Sequence, residues 1–345
     1  MNGFVNFLLF SLIKIACVIL PLMGMVAYAV QVERKLAAAI QDRIGPNRTG
    51  PAGIWQPVAD GIKAFLKEDF TPEHVRKVYF WIAPAITMIP ALLTIAIIPF
   101  GSDLGAQRMV IADLNVGILY TFGIVSLGVY GIVLAGYAAN SKYPFLGGIR
   151  SSAQMISYEV AMGMSVIPVF LLVGDLNLSK VIEYQSHGLV SWLIFKQPLA
   201  FLIFLVAAFA ETNRMPFDLP ESEQELAGGY NTEYSSMKFA LFFMGEYANL
   251  IAASAMMATL FFGGWTLPWF GLDQPAHAGQ WLKGLLHIAI FISKIVMLVI
   301  MVMWVRWMLP RFRFDQLMDL GWRRILPVAL ANIVVTAVIL WMNSL

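Results

Sequence analysis

The sequence predicts an all-α polytopic membrane protein, and three observations carry that reading. Hydrophobic residues make up 59% of the 345 and charged residues only 13%, about half the roughly 25% charged content of a soluble domain. Apolar runs near the roughly 20 residues needed to cross a bilayer recur along the whole chain. The one cysteine, Cys17, falls inside the first of these runs. The chain can therefore build neither an internal disulfide nor a multi-cysteine iron–sulfur or zinc site. A net charge of +2 without a basic block gives no sign of a nucleic-acid partner.

Eight spans follow in order, at about 4–30, 79–100, 117–139, 153–173, 198–213, 239–262, 284–308 and 325–342. The first is long enough to cross and runs straight into Glu33-Arg34-Lys35, so it reads as a retained helix and not a removable signal. The fifth is interrupted by Lys196, Gln197 and Pro198, and Pro198 suits the first turn of a helix. No internal repeat and no soluble insert is present, so residues 1–345 form one integral membrane domain.

Lysine and arginine set the orientation. Sixteen of them lie in the first, third, fifth and seventh loops, against Arg108, Lys180, Lys196 and Lys283 on the other side. The first loop, 31–78, therefore faces the cytoplasm, and an even number of spans puts both termini outside. Within that loop Trp55, Val58, Ala59, Ile62, Phe65 and Leu66 fall on one helical face, with Asp60, Lys63, Lys67 and Glu68 on the other. Such an amphipathic cytoplasmic helix either lies along the membrane surface or packs on neighbouring spans. Glycine and proline in Gln41–Pro51 imply defined turns before it.

Charges inside the spans need a reason. Glu159 sits six residues into the fourth expected span and Glu246 seven into the sixth, roughly 9–11 Å deep from the cytoplasmic side. Glu211 closes the fifth span at the same face. An ionisable group in the bilayer costs at least about 2.5 kcal/mol, so the three should face one another or water inside the bundle. Desolvation and mutual repulsion bring carboxylates toward proton exchange near neutral pH, which is what a proton relay requires. Structural ion pairs are the competing reading, although basic residues at matching depth are scarce. The 211–238 loop continues the theme with Asp218, Glu221, Glu223, Glu225 and Glu233. It is either a solvated acidic loop or, given Pro216, Phe217, Leu219 and Pro220, a packed acidic funnel leading to the spans.

Lys14 and Lys294 are expected near the midplane, either on a hydrophilic path or paired with acids of other chains. Arg306, near a cytoplasmic helix end, is expected to snorkel. His74, His187, His277 and His287 are scattered and read as structural, and no phosphate loop or dinucleotide fingerprint occurs. Any redox cofactor would sit in another subunit.

Several of these segments together resemble a known family. Glu33-Arg34-Lys35, Gly45-Pro46-Asn47, Gln56-Pro57-Val58-Ala59-Asp60 and Lys67-Glu68 are similar to the first cytoplasmic loop of the complex I subunit 1 family. These are the H subunits of bacterial proton-pumping NADH:quinone oxidoreductases. The resemblance continues through Ser157-Tyr158-Glu159, Glu211-Thr212-Asn213-Arg214, Phe217-Asp218-Leu219, Gly229-Tyr230-Asn231, Glu233-Tyr234, Glu246-Tyr247 and Pro310–Leu317, in the family's order and spacing. It implies a subunit at the heel of a membrane arm, where the hydrophilic iron–sulfur arm docks, beside other membrane-arm subunits. Glu159, Glu211, Asp218, Glu221, Glu223 and Glu246 would form an acidic proton path. Glu33, Arg34, Arg43 and Asp60 would line the entrance of a quinone chamber, with Phe243 and Met244 against the isoprenoid tail. The substrate would be ubiquinone or menaquinone, with no flavin, iron–sulfur cluster or metal held by this chain. The location would be a bacterial inner membrane, with both termini periplasmic. A related donor:quinone dehydrogenase or membrane-bound hydrogenase component is the near alternative; a stand-alone proton-coupled transporter is the distant one.

Overall fold

Helix α1, Asn2–Ile40, runs on past its apolar stretch because Glu33, Lys35, Leu36 and three alanines favour helix as strongly as the residues before them. Its 39 residues measure about 58 Å, roughly twice the hydrocarbon thickness of a bilayer. The charged turns at its C-terminus therefore stand where the first loop begins. This computed structural model describes residues 2–104, 107–220, 223–269, 271–276 and 280–344.

The remaining helices follow in chain order: α2 Gln56–Leu66, α3 Lys77–Thr94, α4 Gly117–Ala138, α5 Lys142–Val173 and α6 Leu178–Gln185. Then come α7 Leu193–Lys196, α8 Pro198–Glu211, α9 Glu223–Leu226, α10 Ser236–Phe261, α11 Trp281–Met308, α12 Phe314–Asp319 and α13 Leu326–Ser344. A π-helical turn, Leu320–Ile325, joins α12 to α13. The short strands Asp103–Leu104 (β1) and Gln107–Arg108 (β2) pair antiparallel in the loop after α3. Among the described residues seven helices are long and apolar enough to cross a membrane, and the fifth expected span is the 14-residue α8. The fold is that of an all-α polytopic membrane protein. The side bearing the 31–78 loop is called the near face below, and its opposite the far face.

The start of one central helix differs from expectation, for packing reasons. Helix α5 starts at Lys142, well before residue 153. Its first turns include Pro144, Gly147 and Gly148, which read as loop. A Cβ on Gly147 would stand 3.1 Å from Gly229 Cα, and one on Gly136 of α4 would stand 2.5 Å from the Pro144 carbonyl oxygen. The glycines let three backbones close on one another, the usual way membrane helices pack. Helix α8 begins at Pro198 as expected, and in the break before it Gln197 has its amide donating to Thr336 Oγ1 at 3.1 Å and accepting from Asn332 at 3.3 Å. Irregular backbone at membrane depth is thus covered by α13, as the lack of water there demands.

Helices α5 and α10 form the centre, with about half of their apolar stretches buried, against about a tenth for α1 and for the last span. The outer helices leave apolar faces for lipid or for other chains. Lys294, at the middle of α11, ends α10: its ammonium donates to the carbonyls of Phe262, Gly264 and Thr266 at 2.6, 2.9 and 2.6 Å. All three of its protons are engaged, and the positive charge sits at a helix C-terminus, where it is favoured. Lys294 is thus not short of a partner: three carbonyls of this chain take its protons. Lys14 lies near the far face, donating to the Arg108 carbonyl in the loop after α3 at 3.1 Å.

Candidate functional site

The near face carries the charged residues singled out above, and helix ends bring them together. The loop from Gln41 to Trp55 is tied back to α1 by Gln31, whose amide donates to the Gly53 carbonyl at 2.5 Å, and by Lys35, which donates to that of Ala52 at 2.6 Å. Gly53 has φ +77°, and a Cβ there would meet the Pro46 carbonyl oxygen at 2.2 Å. Only glycine fits that turn. Helix α2 is then clamped at both ends. Arg34 reaches Asp60 at 2.5 Å, Gln56 donates to the same carboxylate at 3.0 Å, and the Ser236 hydroxyl approaches the carbonyls of Ala64 and Lys67 at 3.0 and 2.9 Å. The polar face of α2 points at α1 and α10, leaving Phe65 and Leu66 74% and 82% exposed. An apolar face this open in the chain suits a helix lying on a membrane surface. Arg43, also exposed, donates to Gln41 at 2.7 Å and stands outside these clamps.

Next to Arg34 along α1, at Glu33, lies a buried ionic cluster. Glu33 accepts from Arg214 at 2.9 Å and from the Tyr247 hydroxyl at 2.7 Å, and it also pairs with Arg306. The Arg214 guanidinium lies over the Tyr247 ring, 4.2 Å from its centroid. Burial opposes the charge of Arg214, but the Glu33 carboxylate outweighs it and holds the guanidinium protonated above its already high usual value. Arg306 therefore does not snorkel to the surface; it turns inward because a buried carboxylate faces it. Glu33, expected at an entrance, is 4% exposed. Beside it, between α1, α10 and α11, is an apolar cavity of about 120 Å³ walled by Val32 and Met303, neighbours of Glu33 and Arg306 along their helices.

The acids expected on a path are treated in two ways. Glu246 accepts from the Tyr230 hydroxyl at 2.9 Å, and Asp218 pairs with Arg311 at 2.7 Å. Glu211 is 6% exposed, yet neither of its carboxylate oxygens has a hydrogen-bond partner among the described residues. It borders a small cavity of about 40 Å³ between Thr94, Thr121 and Asn249, whose exposed lining is almost wholly apolar. Glu159, half-buried on α5, is near enough for its charge to act on Glu211. Glu221 lies outside the described residues, as does the side chain of Glu223.

The acidic loop is packed. The Gln154 amide on α5 donates to the carbonyls of Ala210 and Phe217, both at 2.7 Å. Phe217 stacks on Phe312 with centroids 5.5 Å apart and also meets Tyr158. Phe243 and Met244 are half-buried; Phe243 lies 6.1 Å from the ring of Tyr247. Residue reasoning missed Gln154, Tyr230 and Tyr247, which bear no charge, and the pairing of Arg214 and Arg306. One signal was available: Arg214 is the single cation among the acids of 211–225.

With this geometry in hand, the similarities of the chain are informative. A family described as NADH dehydrogenase matches residues 13–337. An H subunit of NADH-quinone oxidoreductase from Cytophaga hutchinsonii is 46% identical, over 96% of this chain and 97% of its own. NADH-quinone oxidoreductase subunit 8 of Rhodothermus marinus is 50% identical over 89% and 90%. The corresponding H subunit from Rhodospirillum rubrum is 50% identical over 93% and 90%.

Proposed function

The chain belongs to the NADH dehydrogenase family as a membrane subunit of NADH-quinone oxidoreductase, and we propose that in that complex it walls a quinone chamber and couples quinone reduction to proton translocation. The observation that carries this reading is the ionic cluster at Glu33, because it joins two sites through chain neighbours. Glu33 precedes Arg34, which clamps α2, and Tyr247 follows Glu246, an acid of the expected path. Arg214 and Arg306 carry two positive charges and Glu33 and Glu246 two negative ones; Arg214 lies in the field of both carboxylates, and Arg306 acts on Glu246 as well as pairing with Glu33. The group is neutral only while both carboxylates are ionised. A proton taken by Glu246 leaves a net positive charge buried at the cluster, and a negative charge arriving beside α2 favours that state.

Quinone enters as substrate beneath α2, with Arg34 and Asp60 at the mouth and the cavity between α1, α10 and α11 offering apolar walls to its tail. Electrons come from a partner subunit of the hydrophilic arm. What this chain contributes is charge linkage: a change at the chamber alters the protonation of Glu246, and through the acidic loop that of Glu211 and Glu159. That is a coupling free energy between sites, reciprocal by thermodynamics. The acidic 211–238 loop, with Asp218, Glu221 and Glu223, supplies protons to these groups. The surplus of lysine and arginine on the near face supports a cytoplasmic orientation in a bacterial inner membrane, with both termini periplasmic.

The test is Glu246→Gln and Glu159→Gln in the assembled complex, reconstituted into vesicles. Both variants are expected to assemble normally and to lose coupled turnover and proton pumping. Fully assembled variants that reduce quinone and pump at normal rates would refute the coupling role.

A further inference from the structure

We propose that a groove on the far face holds one acyl chain of an anionic phospholipid, with the lipid's acidic headgroup at Lys14. The groove runs between α1, the segment after α3, α10 and α11, and encloses about 600 Å³. Its walls extend from Phe10 to Met25 along α1, with Ile98, Ala255 and Trp281 opposite, and Lys14 is the cation among them.

Dimensions select the occupant. Fifteen residues of α1 cover about 22 Å, so the volume corresponds to a cross-section of about 27 Å². A helix 10–12 Å across needs about 80 Å² or more. A transmembrane helix of another subunit does not fit inside; a single extended hydrocarbon chain does. Charge selects the head. Lys14 is half-buried in a membrane helix, donates only to the Arg108 carbonyl, and makes no ion pair among the described residues. An ammonium has three protons to give, so two remain for an acidic oxygen. Lys294, by contrast, has all three engaged by carbonyls. Trp281, at the far-face start of α11, lines the same groove, and tryptophan there marks headgroup level. An apolar tube with one unmatched cation at its headgroup end has the polarity of an anionic amphiphile.

Cys17 lines the groove and is the chain's one cysteine, which gives a direct probe. The assembled complex is placed in phosphatidylcholine vesicles with or without phosphatidylglycerol. The rate of N-ethylmaleimide attachment to Cys17 is then read by mass spectrometry of its peptide. Phosphatidylglycerol is expected to slow attachment about fivefold, the weight of one lysine at an anionic surface. Lys14→Arg should keep that difference and Lys14→Gln should abolish it. Equal rates in the two lipids of the unmodified complex would overturn the proposal, as an uncharged prenyl chain would give. So would a difference that survives Lys14→Gln, or a Cys17 that never reacts because a neighbouring subunit covers it.

Discussion

Glu33 and Glu211 are both buried carboxylates near the same face of the membrane domain, and the fold handles them in opposite ways. Glu33 is surrounded by donors: two arginines and a tyrosine hydroxyl converge on it from three elements remote in sequence. Glu211 has none among the described residues and borders a small cavity with threonine and asparagine at its rim. A carboxylate gripped on all sides keeps its charge and ties helices together. One left without donors has nothing to fix its charge, which then follows the supply of protons. Burial alone therefore does not mark a proton carrier; the set of partners does.

The largest effect that could break this contrast comes from Glu33→Ala. It leaves Arg214 buried without its carboxylate, and unpaired buried charges of this kind cost about 3–5 kcal/mol. Loss of assembled complex on native gels is the expected outcome, and normal assembly would show that the cluster does not hold the helices. Next comes Glu211→Gln. Having no partners to lose, it should shift the unfolding midpoint little, while coupled turnover falls about tenfold or more, as when a proton-transferring group is removed. Proton pumping in vesicles together with thermal unfolding separates the two, and a stability loss as large as that of Glu33→Ala would erase the distinction.

Tyr230→Phe sharpens the comparison for Glu246, which stands between the classes. Removing the Tyr230 hydroxyl that donates to it should cost about 1 kcal/mol in thermal denaturation of the complex. It should also displace the pH profile of turnover, because the carboxylate loses a donor that favours its charge. The smallest effect is expected at the surface. Phe65→Ser on α2 touches nothing buried and should change stability by less than about 0.5 kcal/mol. It should nonetheless raise the KM for quinone by weakening the seat of α2 on the membrane. An unchanged KM would remove α2 from the substrate's route.

The acids were legible because a glutamate in an apolar run stands out against its surroundings. Glu159, Glu211 and Glu246 needed only counting to be placed near one face. Their partners were not legible. Arg306 reads as a snorkelling end residue until the structure sets it against Glu33, 273 positions away. Gln154 and Tyr247 carry no charge, and nothing in a single sequence separates them from ordinary helix residues. The start of α5 was hidden for a related reason. Pro144, Gly147 and Gly148 look like loop, and become helix only because close contact with Gly136 and Gly229 rewards small residues.

The sequence by itself determined the class of the molecule, the number of apolar segments and the side on which its acids gather. Those follow from transfer free energies that each residue carries wherever it sits in space. Tertiary structure alone decided which charges are paired and which are left alone. Pairing depends on side chains from α1, α10, α11 and the 211–235 loop meeting within 3 Å, at separations of 181 and 214 residues. It also decided that Lys294 ends a helix while Lys14 keeps two protons to give, two lysines that the one-dimensional chain presents alike.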